Sequence, residues 1–170
     1  MRTNVALIVI TLAGTLACGG STPVLTDAAV YTLEHQDGGY VAEAVATYTN
    51  STGRLVYYQR CTPDDSGPIN WVRRTGEDST ARVSVGGAWA GVGGVPTGQV
   101  LPGESLSARV SLGSTDSPQA RPPITSEERV GRFRIEFALC ARHADDSDNC
   151  EALPQAARES NAFDLRFAGP

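Results

Sequence analysis

Alternation of apolar and polar residues runs through most of the chain beyond Ala28. Phe133, Ile135, Phe137 and Leu139 alternate with Arg132, Arg134, Glu136 and Ala138; Leu106, Ala108, Val110 and Leu112 alternate with Ser105, Ser107, Arg109 and Ser111. Successive side chains of a strand point to opposite faces, so a period of two predicts strands with one face buried. The first run is the most apolar and is expected at the centre of the core. Shorter runs at 30–34, 40–49, 69–73, 81–85 and 163–167 also read as strands, with a helix over 41–46 as the rival to the second, whereas 55–59 is continuously apolar and aromatic, the pattern of a strand covered on both faces. Turn formers stand between them: Asp37-Gly38-Gly39, Asn50-Ser51-Thr52-Gly53, Pro63 to Gly67, and Pro102-Gly103. Residues 152–158 suit one or two helical turns. About seven or eight strands with turns every 8–12 residues predict an all-β fold, an antiparallel sandwich with Greek-key connections. Two stretches read as long loops: the glycine-rich 86–98 around Trp89, and the polar 113–128 with Pro118, Pro122 and Pro123. Such lengths are uncommon in compact domains.

The first seventeen residues follow another pattern. Arg2 supplies a positive start, 5–17 is almost wholly apolar, and Cys18 follows the small residue Ala17. That is the layout of a secretion signal, and the run falls short of the roughly 20 apolar residues of a membrane span. Residues 1–17 therefore read as a signal peptide, 18–27 as a tether of Gly, Ser, Thr and Pro, and 28–168 as one domain.

The segment from Leu12 to Cys18, with Ala17 before the cysteine and Gly19-Gly20-Ser21-Thr22-Pro23 after it, resembles the lipobox of bacterial lipoproteins, departing from it at Thr15 and Leu16. The resemblance implies that Cys18 is acylated and becomes the new N-terminus. Each buried methylene then contributes about 0.8 kcal/mol, and two chains already give stable anchoring. The resemblance also implies, because Gly19 stands where Asp would retain the protein at the inner membrane, an outer-membrane destination.

Composition narrows the function classes. All fourteen basic residues are Arg, and without Arg2 there are 13 against 19 Asp plus Glu, a charge of about −6. A net acidic domain argues against nucleic-acid binding, which needs a concentrated basic face. With Cys18 committed to lipid, Cys61, Cys140 and Cys150 remain. Outside the cytoplasm disulfides form. Cys140 and Cys150 are close in sequence with a polar turn between them and are the favoured pair; Cys61–Cys140 and Cys61–Cys150 stay open.

Four motifs carry a second resemblance. Asn50-Ser51-Thr52-Gly53 precedes an apolar strand ending in Cys61, and Pro102-Gly103-Glu104-Ser105 precedes an alternating strand. Gly131-Arg132-Phe133-Arg134-Ile135 and the closing Ser160-Asn161-Ala162-Phe163 complete the set. Together they are similar to bacterial lipoproteins with a single immunoglobulin-like domain and, more distantly, to the intracellular proteinase inhibitor family of bacilli. The resemblance implies an immunoglobulin-like β-sandwich over most of 28–168. It carries no functional residue with it.

Candidate chemistry is sparse. His143, Asp145, Asp146, Asp148 and Glu151 form an acidic stretch, and Asp145, Asp146 and Asp148 are its candidate Ca²⁺ ligands, although the full Asp-x-Asp-x-Asp-Gly pattern is absent and a solvated turn is the simpler reading. No other cofactor is indicated. Trp89 and Trp71 are candidate partner-binding residues, since aromatic anchors dominate interfaces. Catalytic residues are not expected: the only histidines are His35 and His143, neither Gly-x-Ser-x-Gly nor His-Glu-x-x-His occurs, and a phosphate loop is ruled out by the lack of Lys. The expectation is a lipid-anchored, non-enzymatic protein of the bacterial cell envelope, its domain binding an envelope protein or glycan or serving a structural role. The alternative is a small periplasmic protease inhibitor or enzyme acting through the loops at 86–98 and 113–128.

Overall fold

The structure is a computed structural model that describes residues 22–36, 39–60, 63–64, 67–75, 82–83, 97–115, 130–143 and 150–168. Cys18, Cys61, Trp89, Asp145, Asp146 and Asp148 lie outside the described residues, as does nearly all of the 86–98 loop and most of 113–128.

The described chain is all-β. Its strands are β1 (Val24–Thr26), β2 (Val30–Gln36), β3 (Gly39–Val41), β4 (Glu43–Thr49), β5 (Val56–Gln59), β6 (Asn70–Arg74), β7 (Arg82–Val83), β8 (Thr97–Val100), β9 (Ser105–Ser111), β10 (Ser114–Thr115), β11 (Gly131–Phe137), β12 (Leu139–His143), β13 (Cys150–Ala152) and β14 (Phe163–Phe167). One helical turn, α1 (Gln155–Arg158), falls inside the predicted 152–158. Three sheets result, with strand orders β1-β4-β9, β10-β3-β2-β14-β11-β6-β7 and β13-β12-β5-β8.

More strand segments are present than the seven or eight predicted, because long strands pass from one sheet to another. β3 and β4 are one extended run broken at Ala42, and β9 and β10 are its partner broken at Leu112 and Gly113. Pairing register is the same on both sides of the break, Glu43 opposite Ser111 and Tyr40 opposite Ser114, and the Leu112 N–H donates to the Ala42 carbonyl at 2.9 Å. Only glycine fits at 113, where an added Cβ would stand 2.0 Å from the Tyr40 carbonyl oxygen. β11 and β12 make a second such run. β11 pairs with β6, β12 with β5, and at the junction Gln59, Ile69 and Ala138 exchange three backbone hydrogen bonds of 2.7–3.1 Å.

Three expectations require correction. The 18–27 stretch is not all tether: β1 lies inside it, pairs antiparallel with β4, and buries Val24 completely. An apolar pair flanked by polar residues is too short to show a period. The sheets are not purely antiparallel: β14 runs parallel to β2, with Asp164 opposite Val30 and Phe167 opposite Leu33. A parallel neighbour needs a long crossover, and here the whole chain between 36 and 163 supplies it. Finally, β5 is not covered on both faces, since only Val56 is buried and Tyr57, Tyr58 and Gln59 are half-buried. Residues 97–98 and 114–115, read as parts of loops, belong to β8 and β10.

The predicted centre is correct. Phe133, Ile135 and Phe137 are at most 1% exposed and join Val24, Leu33, Ala46, Tyr48, Val56, Val110, Leu139, Phe163 and Leu165 in one core drawn from all three sheets. Burying a large apolar side chain contributes about 1.5–3 kcal/mol. Phe133 and Tyr31 pack on Phe163, the latter edge-on at 5.2 Å between ring centroids.

Hydrogen-bond knots tie this core at two places, both built from motifs recognised above. Asn50 is fully buried. Its Nδ2 donates to the Arg54 carbonyl (2.7 Å) and the Val100 carbonyl (2.9 Å), and its Oδ1 accepts from the Thr52 N–H and hydroxyl. Its backbone N–H donates to Glu104 and its carbonyl accepts from Gly103. The two turns are thereby fastened to each other, with Gly53 and Gly103 at the positive φ that tight turns need. The Asn50-Ser51-Thr52 sequon is thus a turn whose amide is enclosed. At the other knot, the Ser160 hydroxyl accepts from the Ile135 N–H (2.9 Å), while Asn161 accepts from the Thr26 N–H (2.8 Å) and donates to its hydroxyl. β1 is held against the chain entering β14 in this way.

Candidate functional site

Strand alternation and register place a set of charged residues on the outer face of the seven-stranded sheet. β11 sends Phe133, Ile135 and Phe137 into the core and therefore Arg132, Arg134 and Glu136 to the other side. Across β6, Arg134 stands opposite Arg73 and Glu136 opposite Trp71. Across β14, Arg132 stands opposite Asp164, and one pair further along are Arg166 and, on β2, Thr32. α1 then brings Arg158 over the Glu136 end. Five arginines share this surface in a chain whose net charge is −5.

At one end of the face the charges are closed into a triad. Glu136 is fully buried, and its two carboxylate oxygens form ion pairs with Arg73 Nε and Arg158 Nη1, whose side chains are 15% and 18% exposed. Arg158 is steered by a second bond, Nε to the Leu153 carbonyl at 2.7 Å. Taking a carboxylate out of water costs several kcal/mol, which two guanidiniums at hydrogen-bonding distance offset. The alternation had put Glu136 on the solvent side; the neighbouring α1 turn covers it.

The other end of the face is open. Arg132 is exposed. Arg166 Nη2 pairs with Asp164 Oδ2 at 3.0 Å, both at the surface. Between them and Val130 runs a groove of about 590 Å³ with Leu165 and Phe167 on its walls. Arg134, half-buried between the two ends, donates from Nη1 to the Ser160 carbonyl at 2.7 Å.

Trp71 is half-buried on this same face, opposite Glu136. The remaining candidates are dispersed. Cys140 and Cys150 form the expected disulfide between β12 and β13, Cα atoms 5.4 Å apart and Cys140 fully buried. In the chain-entropy model a loop of that size contributes roughly 3 kcal/mol or slightly less. Glu151, at the end of the acidic stretch, is exposed on β13 and reaches Arg142 at 3.6 Å, while His143 lies opposite Cys150. His35 packs edge-on against Tyr40, 5.2 Å between ring centroids. The described residues hold no group of three His, Cys, Asp or Glu able to bind a metal.

A second groove, of about 420 Å³, opens between β2, β3 and β4, with Tyr31 at its base and Glu34 and Glu43 at its rim. Below it the Tyr31 hydroxyl donates to Asp27 Oδ1 at 2.5 Å, and the Val45 N–H donates to the same oxygen at 2.9 Å. The tyrosine bond holds the Asp27 carboxyl below its ordinary range. Burial first, and the Asp27 carboxylate second, push the Tyr31 phenol up to about 12. Tyr48, sealed in the core, is also raised by burial.

The residues that sequence reasoning missed are Glu136, Arg73 and Arg158. Period two put Arg134 and Glu136 on one face, but nothing local tied them to residues 22 and 63 positions away. No family model matches the chain, and no curated protein matches it.

Proposed function

We propose that this chain is a lipid-anchored protein of the bacterial cell envelope whose domain, an immunoglobulin-like sandwich with Greek-key connections, binds a partner and catalyses no reaction. The observation that carries the reading is the Cys140–Cys150 disulfide at the edge of the core. Such bonds persist in oxidising compartments outside the cytoplasm, where the leader of residues 1–17 would deliver the chain. Cys18 then supplies the point of lipid attachment. The charged face around Arg132, Arg134 and Trp71 offers the recognition surface, because guanidinium and indole groups are enriched where partners bind.

The test is metabolic labelling with radioactive palmitate in a bacterial host expressing the full chain. Label in the protein, absent from Cys18→Ser, and recovery with the membrane fraction are expected. An unlabelled protein that stays in the soluble fraction would overturn the reading.

A further inference from the structure

We propose that the open, arginine-bearing end of the seven-stranded sheet's outer face docks on the anionic phosphate headgroups of the bilayer that holds the lipid on Cys18. The proposal rests on the anchored reading above and deepens it by naming what this face meets.

Chain length and the point of entry supply the first argument. Five residues, hence six Cα–Cα steps, separate Cys18 from Val24, a reach of at most about 20 Å. Val24 is not at an arbitrary place. It forms a parallel bridge with Ser160, the Asn161 N–H donates to its carbonyl at 3.2 Å, and the Ser160 carbonyl in turn accepts from Arg134. The tether therefore enters the domain beside Arg134, at the middle of the arginine face and on the Glu159 side of Ser160, and Arg132 at the open end is two residues from Arg134 along β11, about 7 Å. A domain held this closely keeps some surface within tether reach of the bilayer, and the surfaces next to the attachment are this face and, through the pairing of β1 with β4 and the Thr49 N–H bond to the Pro23 carbonyl, the outer face of β4 and β9.

Charge supplies the second. The chain as a whole is acidic, so its net charge does not draw it to an anionic bilayer. On this face Glu136 is neutralised by Arg73 and Arg158, and Asp164 is a half-buried acid opposite Arg132 and beside Arg166. Glu34 is exposed on the same side of β2 as Val30, and Glu159, bonded by Gln155, stands at the margin. The Arg166–Asp164 pair is a surface ion pair of the kind that contributes little, so Arg166 can turn to a phosphate at small cost. Guanidinium presents two parallel N–H groups that match phosphate oxygens. Apolar surface accompanies the charge: Val30, 46% exposed, lies on the same face. The outer face of β4 and β9 is different, a ladder of hydroxyls in which Thr47 meets Ser107 and Thr49 meets Ser105 and the Glu43–Arg109 pair cancels its own charge.

Flotation with lipid vesicles tests the proposal, using residues 19–170, which contain every residue of the buried core and need no acylation. Partition onto phosphatidylcholine vesicles containing about one third phosphatidylglycerol is expected, with none onto pure phosphatidylcholine and release in about 0.5 M salt. Each arginine near an anionic surface accounts for roughly a fivefold change in partition, so Arg132→Ser with Arg166→Ser is expected to weaken it roughly 25-fold. Both side chains are exposed, and circular dichroism checks that the variant is folded. Thr47→Ala with Ser107→Ala is expected to bind as the parent does. Equal partition onto both vesicle types, no partition onto either, or no loss in the double arginine variant would overturn the proposal. Palmitate labelling reads the anchor independently, so a labelled protein whose domain ignores anionic vesicles would refute the docking face and leave the anchor standing.

Discussion

Asn50 and Glu136 are both fully buried polar side chains, and they are held by opposite means. Asn50 is neutral, and every partner it has is backbone or a neighbouring hydroxyl within two turns, at 50–54 and 100–104. Its four hydrogen bonds use its whole donor and acceptor capacity. Glu136 carries a charge, and its partners are two guanidiniums brought from β6 and α1. The first arrangement fastens turns that already form locally. The second exists only when three distant segments have assembled, and it reports on the tertiary fold. A neutral knot costs little to bury once its bonds are made. An ionic one is costly to bury and is destabilising when any member is missing.

Breaking the ionic knot should have the largest effect. Glu136→Gln leaves two guanidiniums without their counter-charge, and a loss of about 3–5 kcal/mol is expected in urea unfolding. Converting all three residues to apolar ones of similar size, Arg73→Met, Glu136→Leu and Arg158→Met, should recover most of that loss. A triple variant as unstable as the single one would show that the arginines have structural duties beyond the carboxylate.

Asn50→Ala comes next. It removes the Nδ2 donor from the buried bond to the Val100 carbonyl and from the Arg54 carbonyl, and a cost of about 2 kcal/mol is expected, insensitive to salt. A loss larger than that of Glu136→Gln would reverse the ranking of the two knots.

The Tyr31–Asp27 pair sharpens the comparison through pH, since it joins a buried neutral group to an exposed charged one. The phenol is raised to about 12 in the folded chain from 10. Its contribution is therefore complete below pH 10 and is lost as the pH rises from 10 toward 12, about 2–3 kcal/mol in all. Asp27 shifts the other way, so its contribution is present above its ordinary pKa of 3.8 and is lost as the pH falls through the lower folded value. Tyr31→Phe should flatten the alkaline limb of the stability–pH profile and shrink the acid one. An unchanged alkaline limb would place the titration elsewhere.

The smallest effect is expected where polar groups are bonded at the surface and nothing buried depends on them. Thr47→Ala with Ser107→Ala removes an exposed cross-strand bond of 2.8 Å and should change stability by no more than about 0.5 kcal/mol.

What could be read from the chain follows this division. The runs at 105–112 and 132–139 were legible as strands because a period of two is a property of neighbours. The Asn50 and Gly103 turns were legible because their residue types fix local φ and hydrogen bonding. β1 was hidden in a stretch that reads as tether, since the signal for it is the pairing of Val24 with Tyr48 and not anything in residues 24–26. β8 and β10 were hidden likewise inside sequences rich in turn formers. Of the charged face, the sequence offered Trp71 as a candidate; that Arg73, Arg132, Arg134 and Arg166 gather there depends on register.

The sequence by itself determined that this is a β protein, which strand is central, where the tight turns fall, and that Cys140 and Cys150 can reach each other. Each of these rests on residues within about ten positions, where steric and hydrogen-bonding preferences act without the rest of the chain. The tertiary structure alone decided that β14 lies parallel to β2, that long strands change sheets at Ala42 and Ala138, and that Glu136 is enclosed between two arginines. Those outcomes join residues from about 20 to 130 positions apart, and the free energy that selects them comes from burying one shared core, which no local window of sequence contains.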